Sequence, residues 1–465
     1  MSNHRRVLTL VLVLLLPRPS ARAEVLVRWD LDHVPSPESL GISTLVIPAS
    51  KPGAVREAVG RGFRVYLDVD AAALPEAAAI PEGVCGAVVH GGVSRQQVDD
   101  LRRRLPAPGA RVLPVDDRGL WPHIRLNPVA LRDNVLQVAS RSAQPWMDSN
   151  GVFVRITPAA PGGRALLLSP RWEPTTAADK EHGPAVEDYL VAIAEAGSFG
   201  HDLVLPLHEH FARGLLLGEP DARAGWQAIR RYLEFYSWDL PQRYRRVSNI
   251  AVVVSDPMGS IEILRLLTRH NLPFELVAPG GPDAASLNGF ALAIVLDPVT
   301  PAQVPPLTAF ANAGGTVVLN GPPAGVSWDG AVPMGRNGRH AAYRVGQGRV
   351  LELAEAVENP DEFALSMRDV LGPDGRVVDV WNGITVLIAP YENAAGDTTL
   401  VSVLDYAHDA QPIPARVKGR FAAATYESPE SAPVLLPLQH RGGHTEFVLP
   451  AMRVGGRVFL TRARN

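Results

Sequence analysis

The chain has 465 residues, 42 of them Pro, 41 Gly and one Cys, and its 45 Lys and Arg against 48 Asp and Glu leave a net charge of −3. That near-neutral balance gives no electrostatic footprint for nucleic acid or an anionic membrane surface, and a hydrophobic content of 46% excludes wholesale disorder. The lone Cys85 forms neither an internal disulfide nor a multi-cysteine metal site.

At the N-terminus, His4, Arg5 and Arg6 precede the apolar run Val7–Leu16 and an A-x-A site at Ala21-Arg22-Ala23. This order predicts a signal peptide over residues 1–23. The run is too short to cross a bilayer, which needs about 20 residues. The expectation is a secreted or periplasmic protein with no membrane partner once the signal is cleaved.

From residue 24 to 240, short β-rich runs alternate with helical stretches. The runs are Val25–Trp29, Thr44–Pro48, Arg64–Asp68, Gly86–His90, Arg111–Val115, Val135–Ser140, Ala165–Ser169 and Leu203–His208. Amphipathic helices are expected at Pro52–Gly60, Arg95–Leu105, Ala185–Ala196 and Ala224–Tyr236. Such alternation predicts parallel strands joined by right-handed crossovers, here a compact (β/α)₈ TIM barrel. Arg118–Asn134 reads as an insertion of hairpin character among the barrel's top loops.

Residues 247–372 repeat the α/β texture. Strands are expected at Ile250–Ser255, Phe274–Ala278, Ala291–Leu296 and Thr316–Asn320, with helices at Met258–Arg269 and Leu307–Ala313 and a hairpin around Tyr343–Leu353. This predicts an open, flavodoxin-like α/β sheet. Residues 376–465 carry only short strands between turn residues: Thr385–Ala389, Thr399–Asp405, Arg416–Lys418, Ala422–Ser428, Thr445–Val448 and Arg457–Leu460. A small C-terminal β-sandwich is the expectation.

The order barrel, α/β sheet, β-sandwich resembles the multidomain β-galactosidases of glycoside hydrolase family 42. Ile250–Ser255 and the run Gly314-Gly315-Thr316-Val317-Val318-Leu319-Asn320-Gly321 look like strands of the glutamine-amidotransferase-like module of those enzymes. Residues 247–372 contain no Cys, so amidotransferase chemistry is excluded. The resemblance implies a structural module and a homo-oligomer formed through it. It also implies a Glu after barrel strand seven, where Trp172-Glu173 stands, and an Asn-Glu pair after strand four, where this chain has His90-Gly91-Gly92.

In a (β/α)₈ barrel the active site lies at the C-terminal strand ends. There the chain places Asp30, Asp68, His90, Asp116, Gln144 with Trp146, Trp172 with Glu173, and His208 with Glu209. Glycoside hydrolysis needs two carboxyl groups flanking the bond, one protonated and one ionised. Glu173 is the first catalytic candidate, with Glu209 or Asp116 as its partner and Asp30 behind them. Asp30, Asp68, His90, Gln144, Trp146, Trp172 and His208 are candidates for binding substrate. Indoles stack on sugar rings, and Trp29 and Trp121 join Trp146 and Trp172 on that ground. Asp32 and Asp70 read as strand-end turn residues.

The expected partner is therefore an oligo- or polysaccharide. Gly91–Ser94 and Gly280-Gly281 lack phosphate-loop spacing and no G-x-S-x-G elbow is present, so no cofactor and no serine triad are expected. Two other readings stay open. One is a non-catalytic glycan-binding or scaffold protein that keeps the barrel without its acid/base. The other is a metal-dependent hydrolase built on His208 and His210.

Overall fold

The computed structural model describes residues 25–74, 80–115, 123–125, 129–132, 135–138, 145–156, 167–172, 174, 177–237, 243–278, 286–323, 325–336, 339–407 and 410–463. Seven strands form one all-parallel sheet: Val25–Arg28, Thr44–Pro48, Arg64–Asp70, Val84–His90, Arg111–Pro114, Leu167–Leu168 and Asp202–Pro206. The last strand pairs with the first, and a parallel bridge from Val115 to Leu167 brings the two remaining edges together. The result is a near-closed, TIM-barrel-like core.

Side chains alternate along a strand, and here the alternation divides inside from outside. Each strand region gives one residue to an inner cluster of Leu26, Val46, Tyr66, Val88, Val115, Leu167 and Val204. Their neighbours, such as Val27, Leu45, Ile47, Leu67 and Val89, face outward into the core under the helices. Helices at Pro52–Gly60, Arg95–Arg104, Val186–Phe199 and Pro220–Tyr236 fall where the sequence predicts them. Ser94 and Gln97 close a reciprocal capping box on the second of these, satisfying backbone donors that the first turn leaves open.

Tyr66 fills the barrel interior because Gly86 leaves it room. A Cβ at Gly86 would run into the Tyr66 ring and the Arg111 carbonyl. Gly86→Ala should therefore lower the stability of the barrel by about 3 kcal/mol through overpacking. Denaturant unfolding of the variant measures this, and an unchanged midpoint would contradict the interior packing described.

The expected sixth barrel strand is corrected. Val135–Val138 pairs antiparallel with Val129–Arg132 as the second arm of a hairpin outside the barrel sheet. Two residues separate the arms. A connection that short forces antiparallel pairing, since a parallel neighbour needs a crossover of a dozen residues or more. Among the described residues the barrel thus has seven strands, not eight. The helix Pro145–Ile156 follows the hairpin and turns Val152 into the apolar core around Ile250 and Leu267.

A second sheet of seven strands has Phe274–Val277, Ile250–Val253, Leu292–Val295, Thr316–Leu319 and Gly348–Leu353 parallel in that spatial order. His340–Val345 and Val332–Arg336 extend it antiparallel. Helices Ile261–Arg269 and Pro360–Gly375 cover one face, and Val304–Asn312 covers the other.

Beyond it lie two antiparallel sheets, of six and four strands. They share an apolar core that includes Val386, Val401, Ile413, Phe421, Phe447 and Val458. Tyr244–Arg246, just past the barrel helices in sequence, pairs with Val386–Asn393 and so joins the six-stranded sheet. No helix among the described residues is long and apolar enough to cross a membrane.

Candidate active site

The alternation that fills the barrel also builds its rim. Two or four residues beyond the inner cluster, Arg28, Asp30, Asp68, His90, Ser169, Arg171 and His208 return to the same side of their strands. With Trp172, Pro206 and Glu209 they line a cavity of 710 Å³ at the C-terminal strand ends.

At its centre is one linked cluster. His90 Nε2 lies 2.6 Å from Asp68 Oδ1, and Arg28 Nε lies 3.0 Å from Asp68 Oδ2 and 3.3 Å from Asp30 Oδ1. Both oxygens of Asp68 are thus engaged, and its side chain is only 8% exposed. A buried carboxylate needs this pairing to remain charged. Asp30 is different. Burial raises its carboxyl above the usual range, Arg28 and Lys51 pull the other way, and the charge on Asp68 adds to the rise. Lys51 Nζ also donates to the Asp30 carbonyl, fixing the backbone at the first strand's end. Two carboxyl groups thus stand beside one guanidinium, one paired on both oxygens and the other raised by burial.

The structure brings together Asp30, Asp68, His90, Trp172, His208 and Glu209 of the expected set, and it redefines two of them. His208 is the N-cap of the helix Glu209–Leu217: its Nδ1 accepts the His210 N–H at 3.3 Å. A Cβ at Gly183 would collide with its imidazole, so the ring is held against that glycine. Burial lowers its affinity for a proton. His208 thus lines the cavity while its Nδ1 serves as the cap of this helix. Glu209 sits in the first turn of the same helix, its side chain 62% exposed and ion-paired with Arg213 four residues on. It lies at the cavity mouth with its carboxylate turned to a surface partner.

Trp29 is fully buried and donates its indole N–H to the His33 carbonyl at 2.9 Å. It is a core residue and not a stacking platform. Trp172 lines the cavity, and its indole nitrogen has no acceptor among the described residues. Asp70 caps the turn at Ala72, and Asp32 pairs with Lys51 at 3.1 Å, both as strand-end residues do. Glu173, Asp116, Gln144 and Trp121 lie outside the described residues, as does the side chain of Trp146. His210 meets His182 edge to face at 5.4 Å. Among the described residues no group of three or more His, Cys, Asp or Glu is placed to hold a metal ion.

Sequence reasoning passed over Arg28 and Lys51. The signal for Arg28 was present: it shares the parity of Leu26 and Asp30, so the first strand delivers it to the same rim.

No family model and no curated protein sequence matches the chain. Solved structures do. The chain is similar to the α-L-fucosidase isoenzyme 2 of Paenibacillus thiaminolyticus, with a TM-score of 0.57 and 11% identity over 96% of this chain and 100% of that one. A β-galactosidase from Bacillus circulans sp. alkalophilus aligns with a TM-score of 0.44 and 12% identity, over 89% of this chain and 66% of that one. A rhamnosidase from Novosphingobium sp. PP1Y gives 0.44 and 14%, over 90% of this chain and 39% of that one. At such identities the likeness to the fucosidase is one of fold alone.

Proposed function

We propose that the barrel cavity hydrolyses glycosidic bonds. The observation that carries the reading is the cluster of Arg28, Asp30, Asp68 and His90 at the C-terminal end of a near-closed parallel barrel. The shared fold with a fucosidase supports it. Asp30, the carboxyl that burial raises, donates to the leaving oxygen. Asp68, with both oxygens paired, holds Arg28 and His90 in place; it is a positioning residue and not a nucleophile. Glu173, next in sequence to the cavity-lining Trp172, supplies the ionised carboxylate, and Trp172 stacks on the sugar ring.

The wider organisation is proposed with it. Residues 1–23 direct export to a secreted or periplasmic site, and residues 24–240 form the catalytic unit. Residues 247–372 form a flavodoxin-like module that resembles a glutamine amidotransferase without its nucleophile. Residues 376–465 form a sandwich, and copies of the chain assemble through the middle module. The parallel strand order of the second sheet supports the flavodoxin-like reading, and the shared core of the last two sheets supports the sandwich.

A panel of aryl glycosides and polysaccharides, incubated with the chain lacking residues 1–23, tests the proposal. Turnover is expected, with a loss of at least about 10²-fold in Glu173→Gln and in Asp30→Asn. The engagement of both Asp68 oxygens and of Glu209 by cations favours one second reading, a glycan-binding barrel without catalysis. Binding on the same panel with no turnover would establish that reading.

A further inference from the structure

A second charged cluster lies far from the barrel cavity in the chain. Asp379, in the strand Val378–Val380, is almost fully buried and is surrounded by three arginines. Arg368 Nη2 lies 2.7 Å from its carboxylate, Arg376 Nη1 2.6 Å and Arg416 Nη2 3.2 Å. The arginines come from the helix Pro360–Gly375, the residue after it, and the strand Ile413–Lys418. Asp379 and Asp369 offset two of the three guanidinium charges and leave one in excess. Burial, and then the like charges of Arg368 and Arg416, hold Arg376 below the usual arginine range against the pull of Asp379; Asp369 is the further acidic group acting on it. Arg416 Nε is buried without an acceptor.

The neighbouring surface is apolar. Arg416 lies over the Trp381 ring, 5.5 Å from its centre. Trp381 is 40% exposed and Ile384, three residues on, is 83% exposed. The turn between them holds Asn382 at φ 59°, a left-handed conformation that a side-chain-bearing residue seldom adopts. A fixed turn thus presents an indole and an isoleucine to water beside an excess of positive charge. Exposed apolar groups rimmed by charge mark binding surfaces. Arginine forks match planar anions, and an indole offers its face to a sugar ring.

We propose that Trp381 and the trio Arg368, Arg376 and Arg416 form a secondary carbohydrate-binding site for a saccharide chain bearing carboxylate or sulfate groups. The sugar face stacks on Trp381 and the anionic group meets the solvent-facing edges of Arg368 and Arg376, whose side chains are 25% and 17% exposed. The site is separate from the barrel cavity and does not require turnover there.

The test is affinity electrophoresis and titration calorimetry of the chain from residue 24 onward with polygalacturonate, a sulfated galactan and neutral dextran. Retardation by an acidic polymer and not by dextran is expected, weakening as salt is raised. Trp381→Ala, at an exposed position, should weaken binding at least tenfold with an unchanged unfolding midpoint. Arg368→Gln should weaken it as well. Polygalacturonate and the sulfated galactan distinguish a carboxylate from a sulfate ligand. No retardation by either polymer would overturn the proposal, as would binding that Trp381→Ala leaves intact. Asp30→Asn should bind normally, so failure of the barrel reading and failure of this one are separable.

Discussion

If the barrel cavity hydrolyses glycosides as proposed, replacing Asp68 with Asn should lower kcat/KM by about 10²-fold or more while leaving the chain folded. Asn keeps the size of the side chain but removes the charge that both His90 and Arg28 face at 2.6 and 3.0 Å. The stability cost should be about 1–3 kcal/mol, the range for weakening a buried hydrogen-bonded charge. It stays at that level because Arg28 retains Asp30 and is itself partly exposed. The catalytic loss follows from position: with Asp68 neutral, Arg28 swings its charge fully to Asp30 and favours the ionised form of the proposed acid. The pH–rate profile is the discriminating readout. Its limb for the acid should move to lower pH in Asp68→Asn, whereas mere structural damage would lower the rate at every pH and leave the limb in place.

Glu195→Gln should stabilise the protein, and increasingly so as pH rises. Glu195 is buried in the helix Val186–Phe199, where Asn150 donates to it at 2.9 Å and the Tyr406 hydroxyl donates to its other oxygen. Tyr406 follows the strand Thr398–Asp405, so this carboxyl ties the barrel's helical layer to the six-stranded sheet. Burial pushes it from the ordinary 4.5 up to about 8, against the two hydrogen bonds. The folded protein therefore holds a proton that the unfolded chain releases. Below about pH 4.5 both states are protonated and nothing is lost. Between there and pH 8 stability falls as pH rises, because the folded state must keep or give up that proton at a cost. At about 1.4 kcal/mol per pH unit, the full penalty is on the order of 5 kcal/mol. Gln keeps an acceptor and a donor at the site and carries no such proton. The difference in unfolding free energy between variant and parent should be small at pH 4.5 and grow to pH 8. A difference that is flat with pH would contradict a buried, protonated Glu195.

Much of the fold was legible because its signals are local. The runs Thr44–Pro48, Arg64–Asp70 and Val84–His90 are apolar on both faces, as strands between a filled barrel and its helices must be. The sixth strand misled for the same reason: Val135–Val138 has strand composition, and composition does not name its partner. Only the two-residue separation from Val129–Arg132 did. At the rim, strand-end position was enough to find Asp30, Asp68 and His90. It could not show that Asp68 has both oxygens occupied, or that His208 caps a helix against Gly183. Those facts depend on Arg28 and on a glycine 25 residues upstream, which meet only after the chain has closed. The three arginines around Asp379 were hidden likewise, since Arg416 reaches Asp379 through antiparallel pairing of their strands.

The central claim of the proposed function is that the barrel cavity binds a positively charged, ring-shaped transition state, with Glu173 as its ionised carboxylate and Asp68 positioning Arg28 and His90. Titration calorimetry with cationic iminosugars of gluco, galacto, fuco and manno configuration measures this most directly, since such rings mimic the charge that develops during glycoside cleavage. The account predicts that at least one binds the wild-type chain, and that Glu173→Gln and Asp68→Asn each weaken it tenfold or more. Binding that neither variant changes, or no binding by any of the four, would contradict it.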